Sequence, residues 1–171
     1  MSAPARGGAV PAAREILRRR LLGWANDVAP GAVLEAGPDE RPAEAGARAM
    51  DGVEGPLIIA WPDLARWRQD HAAAALGDLA AGCELSVGPV FDGGFYLVAF
   101  AHPLAVLTTL PDEIWQSPDA MAIAFTAAHG AGFEAGMLNA ERGLHSPEDV
   151  RAALADPLLD AELRALLECA E

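Results

Sequence analysis

The chain has 171 residues, enough for one domain with a sizeable core and too few for two domains of ordinary size. Its formal net charge is -13, and all twelve of its basic residues other than histidine are arginines. So acidic a chain would repel phosphates, which argues against a nucleic-acid partner. No apolar run is as long as a membrane span, and residues 1–10 lack the apolar core of a signal peptide, so we expect a cytoplasmic protein without a membrane partner.

The first part of the chain predicts one helix after an irregular start. Residues 1–10 are small and glycine-rich, and we expect them to be disordered or loosely packed, with residues 11–171 forming a single α/β domain. Apolar residues recur at helical spacing over Pro11–Val28. The arginine run 18–20 on this helix fits a phosphate clamp, or a solvated face that offsets the acidic balance, and the second interpretation is favoured.

The next segments predict two strands and a helix. Ala32–Ala36 is typical of a short strand, and Ala43–Met50 of at most two helical turns within a long irregular loop. The apolar run Pro56–Trp61 predicts a buried strand, whose end is where ligands bind in open α/β sheets. We expect Pro62 and Asp63 to start a helix that ends near Ala80, with His71 as an ordinary residue of its surface.

A glycine-rich turn joins two further apolar runs. Leu85–Val87 and Phe95–Phe100 predict strands buried on both faces. Between them, Gly93 and Gly94 allow positive φ and a close approach to a ligand, while Asp92 can accept hydrogen bonds from loop amides or a sugar hydroxyl. The same residues also fit a plain hairpin turn, so a ligand-binding loop and a structural turn both remain open.

The rest of the chain alternates helix and strand signals. Ser146 with Asp149 has the pattern of a capping box. Cys83 and Cys169 have no metal-ligand spacing and are expected to be free thiols. The remaining predicted elements are a helix at 103–110, a helix at 118–129 capped by Ser117, a strand at 133–138, and helices at 147–155 and 159–169. This alternation predicts a three-layer α/β/α sandwich with a mostly parallel mixed sheet.

Several motifs occur together in a fixed order. The segment Gly88–Val98 reads G-P-V-F-D-G-G-F-Y-L-V, and it is followed by Ile114–Ser117 and by Ser146–Asp149. Over residues 12–155 the chain resembles a family of small bacterial glycosyltransferase-like proteins, of the type associated with radical-SAM and selenium-domain gene clusters. The resemblance implies the nucleotide-diphospho-sugar transferase (GT-A-like) fold.

The resemblance also implies a donor site and an acceptor site. Asp92, Gly93 and Gly94 would contact the sugar-phosphate of the donor, with Asp63 nearby, although a role at a helix start also explains Asp63. Trp115 would line the acceptor pocket together with Tyr96. For Trp115, a place in the core or at its rim is an equal alternative.

The metal site of the family is altered in this chain. Transferases of this fold hold Mg²⁺ or Mn²⁺ between carboxylates and the diphosphate of the donor. Here Ala60, Gly143 and His145 stand at the acidic positions. Alanine and glycine offer no side-chain ligand, and histidine prefers softer metals than Mg²⁺. We therefore expect no metal site, and Mg²⁺ or Mn²⁺ only if the donor site is functional.

The amino-terminal nucleotide loop of the family is also reduced. Only the segment Ala5–Val10 precedes the first helix, so either the sheet lacks a strand or Ala9 and Val10 contribute a stub of one. A missing inner strand would expose a sheet edge, which predicts a homodimer or another partner. The sequence thus favours a nucleotide-sugar-dependent glycosyltransferase with unassigned catalytic residues. A non-catalytic relative that acts as a binding or assembly module stays open, and a small nucleotidyltransferase is the weaker third possibility.

Overall fold

The computed structural model describes residues 11–36, 42–51, 55–102 and 117–169. Six helices and four strands lie in these ranges. The helices are α1 Pro11–Val28, α2 Pro42–Met50, α3 Gln69–Ala80, α4 Ala120–Gly130, α5 Pro147–Ala155 and α6 Ala161–Glu168. The strands are β1 Leu57–Ala60, β2 Leu85–Pro89, β3 Phe95–Phe100 and β4 Ala135–Met137.

The four strands form one mixed sheet in the order β1-β3-β2-β4. β3 is antiparallel to both β1 and β2, and β4 is parallel to β2. Three strands therefore run in one direction, with β3 reversed between them. The prediction of a mixed α/β sheet is confirmed, although only one of the three strand pairs in the described ranges is parallel.

The side chains of β2 and β3 are buried on both sides because helices pack against both faces of the sheet. On one face, Val87, Val98 and Phe100 pack with the alanines at 120, 124 and 128 of α4. On the other face, Leu97 and Ala99 pack with Ala72 and Ala75 of α3 and with Trp24 of α1. Small alanine side chains on α3 and α4 let these helices lie close to the strands.

A second apolar cluster joins α1, α5 and α6. Leu17, Leu163 and Leu167 are fully buried in it, and Leu144 connects it to the loop before α5. The arginine run of α1 lies over this cluster and pairs with acidic neighbours: Arg18 contacts Glu15 and Glu35, Arg19 contacts Glu162, and Arg20 contacts Asp160. The run therefore serves as a charged helix face, the favoured of its two interpretations.

Two predicted elements, the strand at 32–36 and the helix start at Pro62, are wrong. Ala32–Ala36 forms no strand, since none of its residues pairs with the sheet. Residues 62–68 are not the first turns of α3. Instead, Leu64 makes a bridge with Gly143, and the backbone N–H of Leu144 donates to the carbonyl of Asp63 at 2.9 Å. This pairing holds the segment after β1 against the segment before α5.

The boundaries of α1 and α5 agree with the predicted ones. α4 begins at Ala120, so Ser117 is not its cap, and β4 is shorter than predicted. The helix predicted at 103–110 and residues 1–10 lie outside the described ranges. Within those ranges, none of the helices combines the length and the apolar character needed to cross a bilayer.

Candidate functional site

Three segments meet at one edge of the sheet. Since β1, β2 and β4 run in the same direction, the residues that follow them lie at their common carboxyl edge. Backbone hydrogen bonds join these segments: Glu141 donates to the carbonyl of Pro89 at 3.0 Å, and Phe91 donates to the carbonyl of Glu141 at 3.1 Å. Ligands of open α/β sheets bind at this edge, which makes it the expected position of a ligand site.

An Asp–His–Asp cluster, formed by Asp63, His145 and Asp92, lies at this edge. Nδ1 of His145 is 2.8 Å from Oδ2 of Asp92, and Nε2 is 3.3 Å from Oδ2 of Asp63. Only 8% of the His145 side chain is exposed, against 25% for Asp63 and 42% for Asp92. One residue from each of the three segments thus contributes to a partly buried ion-pair cluster.

The cluster favours the charged form of its histidine. The hydrogen bond with Asp63 raises the pKa of His145, partial burial lowers it, and the attraction of Asp63 and the contact with Asp92 raise it further, to about 9. Its imidazole is therefore protonated at neutral pH, and both ring nitrogens carry a hydrogen that points to a carboxylate. The cluster contains one positive and two negative charges.

Two glycine features give this cluster its shape. A Cβ on Gly143 would lie 2.6 Å from Cε1 of His145, so only glycine leaves room for the ring. Gly93 and Gly94 have φ of 92° and 80°, and their turn is closed by a hydrogen bond from Val90 to the carbonyl of Gly94 at 3.2 Å. The Asp92 turn is thus a structural hairpin connection whose carboxylate also reaches His145.

The start of α5 is capped within the chain. One carboxylate oxygen of Asp149 accepts from the backbone N–H groups of His145 and Ser146, and the Ser146 hydroxyl accepts from the Asp149 N–H. Burial raises the pKa of Asp149, but hydrogen bonds from the Ser146 hydroxyl, Arg142 and these amides lower it overall. The predicted capping box is confirmed, and it orients the residue before it, His145.

A cleft beside the cluster contains three of the twelve arginines. It lies between the segment after β1, the segment before α5 and α5 itself. Arg68 pairs with Asp70 and Glu141, and Arg142 pairs with Asp149 while its guanidinium lies 5.6 Å from the ring centre of Phe91. Its lining also includes Arg66, Gly143 and Leu144.

Arg66 differs from the other two arginines of the cleft. It is exposed, and within the described residues no hydrogen bond or ion pair to its side chain is found. Gly143 lines the cleft and also packs against the ring of His145, so the cleft and the Asp–His–Asp cluster are adjacent. Arg66 and Arg142 were not predicted from the sequence. Their positions after predicted strands, at the carboxyl edge of the sheet, were the signal that could have indicated them.

Of the two predicted acceptor residues, Tyr96 lies within the described ranges. Tyr96 is 1% exposed and packs against Trp67 and His71, so its ring belongs to the core. Trp115 lies outside the described ranges. His71 is also buried, at 4% exposed, and Nε2 lies 3.2 Å from Glu141, so its predicted surface position is wrong.

The residues at this edge do not fit the divalent cation that the resemblance implies. Ala60 and Gly143 have no side-chain ligand atom, and both ring nitrogens of His145 are directed at carboxylates rather than at a shared point. Within the described ranges, no group of three or more His, Cys, Asp or Glu side chains is placed to hold a metal ion. Oxygen-ligating cations need several converging oxygens, which this arrangement does not supply.

Comparison with known proteins supports the fold. No protein-family model matches the sequence, and no curated protein matches it. Among solved structures, the chain is similar to a protein from Desulfovibrio desulfuricans G20 described as a putative nucleotide-diphospho-sugar transferase. The TM-score is 0.60 at 16% identity, and the match covers 90% of this chain and 81% of that chain. The chain therefore has an α/β fold like that of this structure.

Proposed function

We propose that this protein binds a nucleotide-diphospho-sugar at the carboxyl edge of its sheet and transfers the sugar to an acceptor. In this proposal the fold is a three-layer α/β/α sandwich of the GT-A-like type. The observation that supports it most is that the fold resembles a solved structure of that description over 90% of the chain, with a polar cluster at the edge where such folds bind ligands.

The cleft offers a diphosphate positive charge that the acidic chain as a whole does not. At a formal net charge of -13, a diphosphate needs nearby positive charge to bind. Arg66 would supply it, since no ion pair of its side chain is found among the described residues, whereas Arg68 and Arg142 already pair with carboxylates. Guanidinium groups donate paired hydrogen bonds to phosphate oxygens. A fixed positive charge beside the leaving diphosphate is also what stabilises the transition state of sugar transfer.

The donor sugar would lie towards the Asp92 turn. Asp92 is partly exposed beside the cleft, and carboxylates accept hydrogen bonds from sugar hydroxyls. The exposed ring of Phe91 offers an apolar surface next to it. Asp63, Asp92, Gly93 and Gly94 are therefore proposed as donor-binding residues.

A second candidate is a non-catalytic relative that retains the fold as a binding module. It is favoured by the residues at the carboxyl edge, since the described residues contain no group suited to a divalent cation. Loss of that group removes the usual means of stabilising the leaving diphosphate. The homodimer predicted from the sequence belongs to this candidate, and analytical ultracentrifugation at micromolar concentration would test it.

Calorimetric titration with a panel of nucleotide-diphospho-sugars tests binding. We expect saturable binding of at least one donor, weakened several-fold in R66Q and R142Q, because each variant removes a positive charge from the cleft. The matched control is R151Q, since Arg151 is exposed on α5, pairs with Glu148 and does not line the cleft. Equal affinities in all three variants would remove the cleft from the proposal.

Release of nucleoside diphosphate from the bound donor separates the two candidates. A transferase hydrolyses its donor slowly when no acceptor is present, so we expect release that depends on Asp63 or Asp92. Saturable binding without release, with any added sugar or peptide acceptor, would favour the binding module.

A further inference from the structure

We propose that the side chain of His145 takes the place of a divalent cation between Asp63 and Asp92, so that the protein binds no Mg²⁺ or Mn²⁺ at this edge. This inference rests on the geometry of the Asp–His–Asp cluster. Its consequence for donor binding, which would then need no cation, also depends on the proposed function.

The ring of His145 uses both of its nitrogens within the cluster. Nδ1 is directed at Asp92 and Nε2 at Asp63, at 2.8 Å and 3.3 Å. A metal ligand must offer a nitrogen lone pair, and a protonated ring has none. The same contacts occupy the carboxylate oxygens that face each other across the ring. A cation would have to displace the ring in order to contact both aspartates.

The packing around the ring opposes such a displacement. The His145 side chain is 8% exposed, and the backbone at Gly143 lies so close that an added Cβ would clash with Cε1. On its other side, the chain enters α5 through the capping box of Ser146 and Asp149. The ring is therefore held in place from two directions, as a positive charge fixed by the fold.

Electrostatics point the same way. A dication that approached this site would meet a positive charge, and removal of the proton from His145 at neutral pH opposes binding further. The contacts that raise the pKa of His145 to about 9 thus keep a proton on the ring at pH 7, and a ring that bound a metal would have to lose it. Two carboxylates paired with one imidazolium leave a net charge of one negative unit, less than the two units that a bare pair of carboxylates would offer a dication.

Replacement of His145 should open the site. In H145D a third carboxylate faces Asp63 and Asp92, which gives the oxygen-rich set that Mn²⁺ prefers. H129D is the matched control, because it makes the same substitution at an exposed position of α4, outside the cluster. H145A, which adds no negative charge, is the second variant if H145D does not fold.

The test is a titration with Mn²⁺ alone, read from the electron paramagnetic resonance signal of free Mn²⁺, without any nucleotide. We expect no bound Mn²⁺ in wild type or H129D, and at least tenfold tighter binding in H145D or, failing that, H145A. Binding by wild type that is lost in D92N would overturn the proposal, as would folded His145 variants that bind no more than wild type. Since no donor is present, this result is independent of whether the protein binds a nucleotide-sugar.

Discussion

Replacing His145 with glutamine removes the positive charge of the cluster and leaves a polar side chain in its place. The contacts with Asp63 and Asp92 raise the pKa of His145 from 6.5 to about 9. That difference corresponds to at most about 3 kcal/mol of folding free energy. Because Asp92 is 42% exposed, solvent screening reduces it, and we expect about 1–2 kcal/mol.

The sign of the pH dependence follows from the raised pKa. Below about pH 6.5 the histidine is protonated in both states, so the stabilisation is fully present, and it is lost as the pH rises through about 9. Urea denaturation should therefore show that the free energy of unfolding of wild type falls between about pH 6 and about pH 8.5, and that H145Q lacks this fall. Subtracting the change in H145Q from the change in wild type removes the contributions of the other titrating groups. H129Q is the control. Equal losses in wild type and H145Q would refute the ion-pair account of the cluster.

Three further variants test the packing and the caps by the same denaturation experiment. G88A should cost about 1–3 kcal/mol, because a Cβ there would lie 2.4 Å from Cζ of Tyr96, whereas G23A in α1 meets nothing within 4 Å and should stabilise by about 0.5–1 kcal/mol. S146A should cost about 1 kcal/mol by removing the side-chain cap of α5. Burial lowers the pKa of His71, so stability should fall as the pH drops below about 6.5, and H71Q should flatten that fall. The packing at Gly88 would be contradicted if G88A were as stable as wild type, and the cap of α5 if S146A were. The burial of His71 would be contradicted if H71Q lost as much stability at acid pH as wild type does.

Local signals predicted the elements that local chemistry determines. α5 has the predicted limits because Ser146, Pro147 and Asp149 form a complete start signal. β2 and β3 were predicted because their apolar residues are contiguous and their turn has two glycines. These patterns lie within a few residues, so they need no knowledge of the rest of the fold.

Long-range pairing decided the elements that were wrong. Pro62 and Asp63 look like a helix start, but they form a turn, and the bridge between Leu64 and Gly143 keeps the segment out of α3, which begins at Gln69. Residues 32–36 have strand-like composition and no partner strand. A strand needs a neighbour for its hydrogen bonds, and composition alone does not supply one.

The Asp–His–Asp cluster was beyond local prediction for the same reason. Its members lie far apart in the sequence, and only the resemblance brought Asp63, Asp92 and His145 into consideration together. At the sequence level His145 counted as a lost metal ligand, and Asp63 as a donor-site residue that a role at a helix start also explains. Their pairing becomes visible once the carboxyl ends of β1 and β4 are known to share one edge.

The central claim is that a nucleotide-diphospho-sugar binds at the carboxyl edge of this sheet without a divalent cation. The most direct test is a set of ¹H–¹⁵N correlation spectra of ¹⁵N-labelled wild type, recorded with EDTA, as the donor that gives the strongest calorimetric signal is added. We predict saturable shifts confined to the amides of residues 61–68, 90–94 and 141–146. Shifts centred on α1 and α6, or none at donor concentrations that saturate other sugar transferases, would contradict the claim.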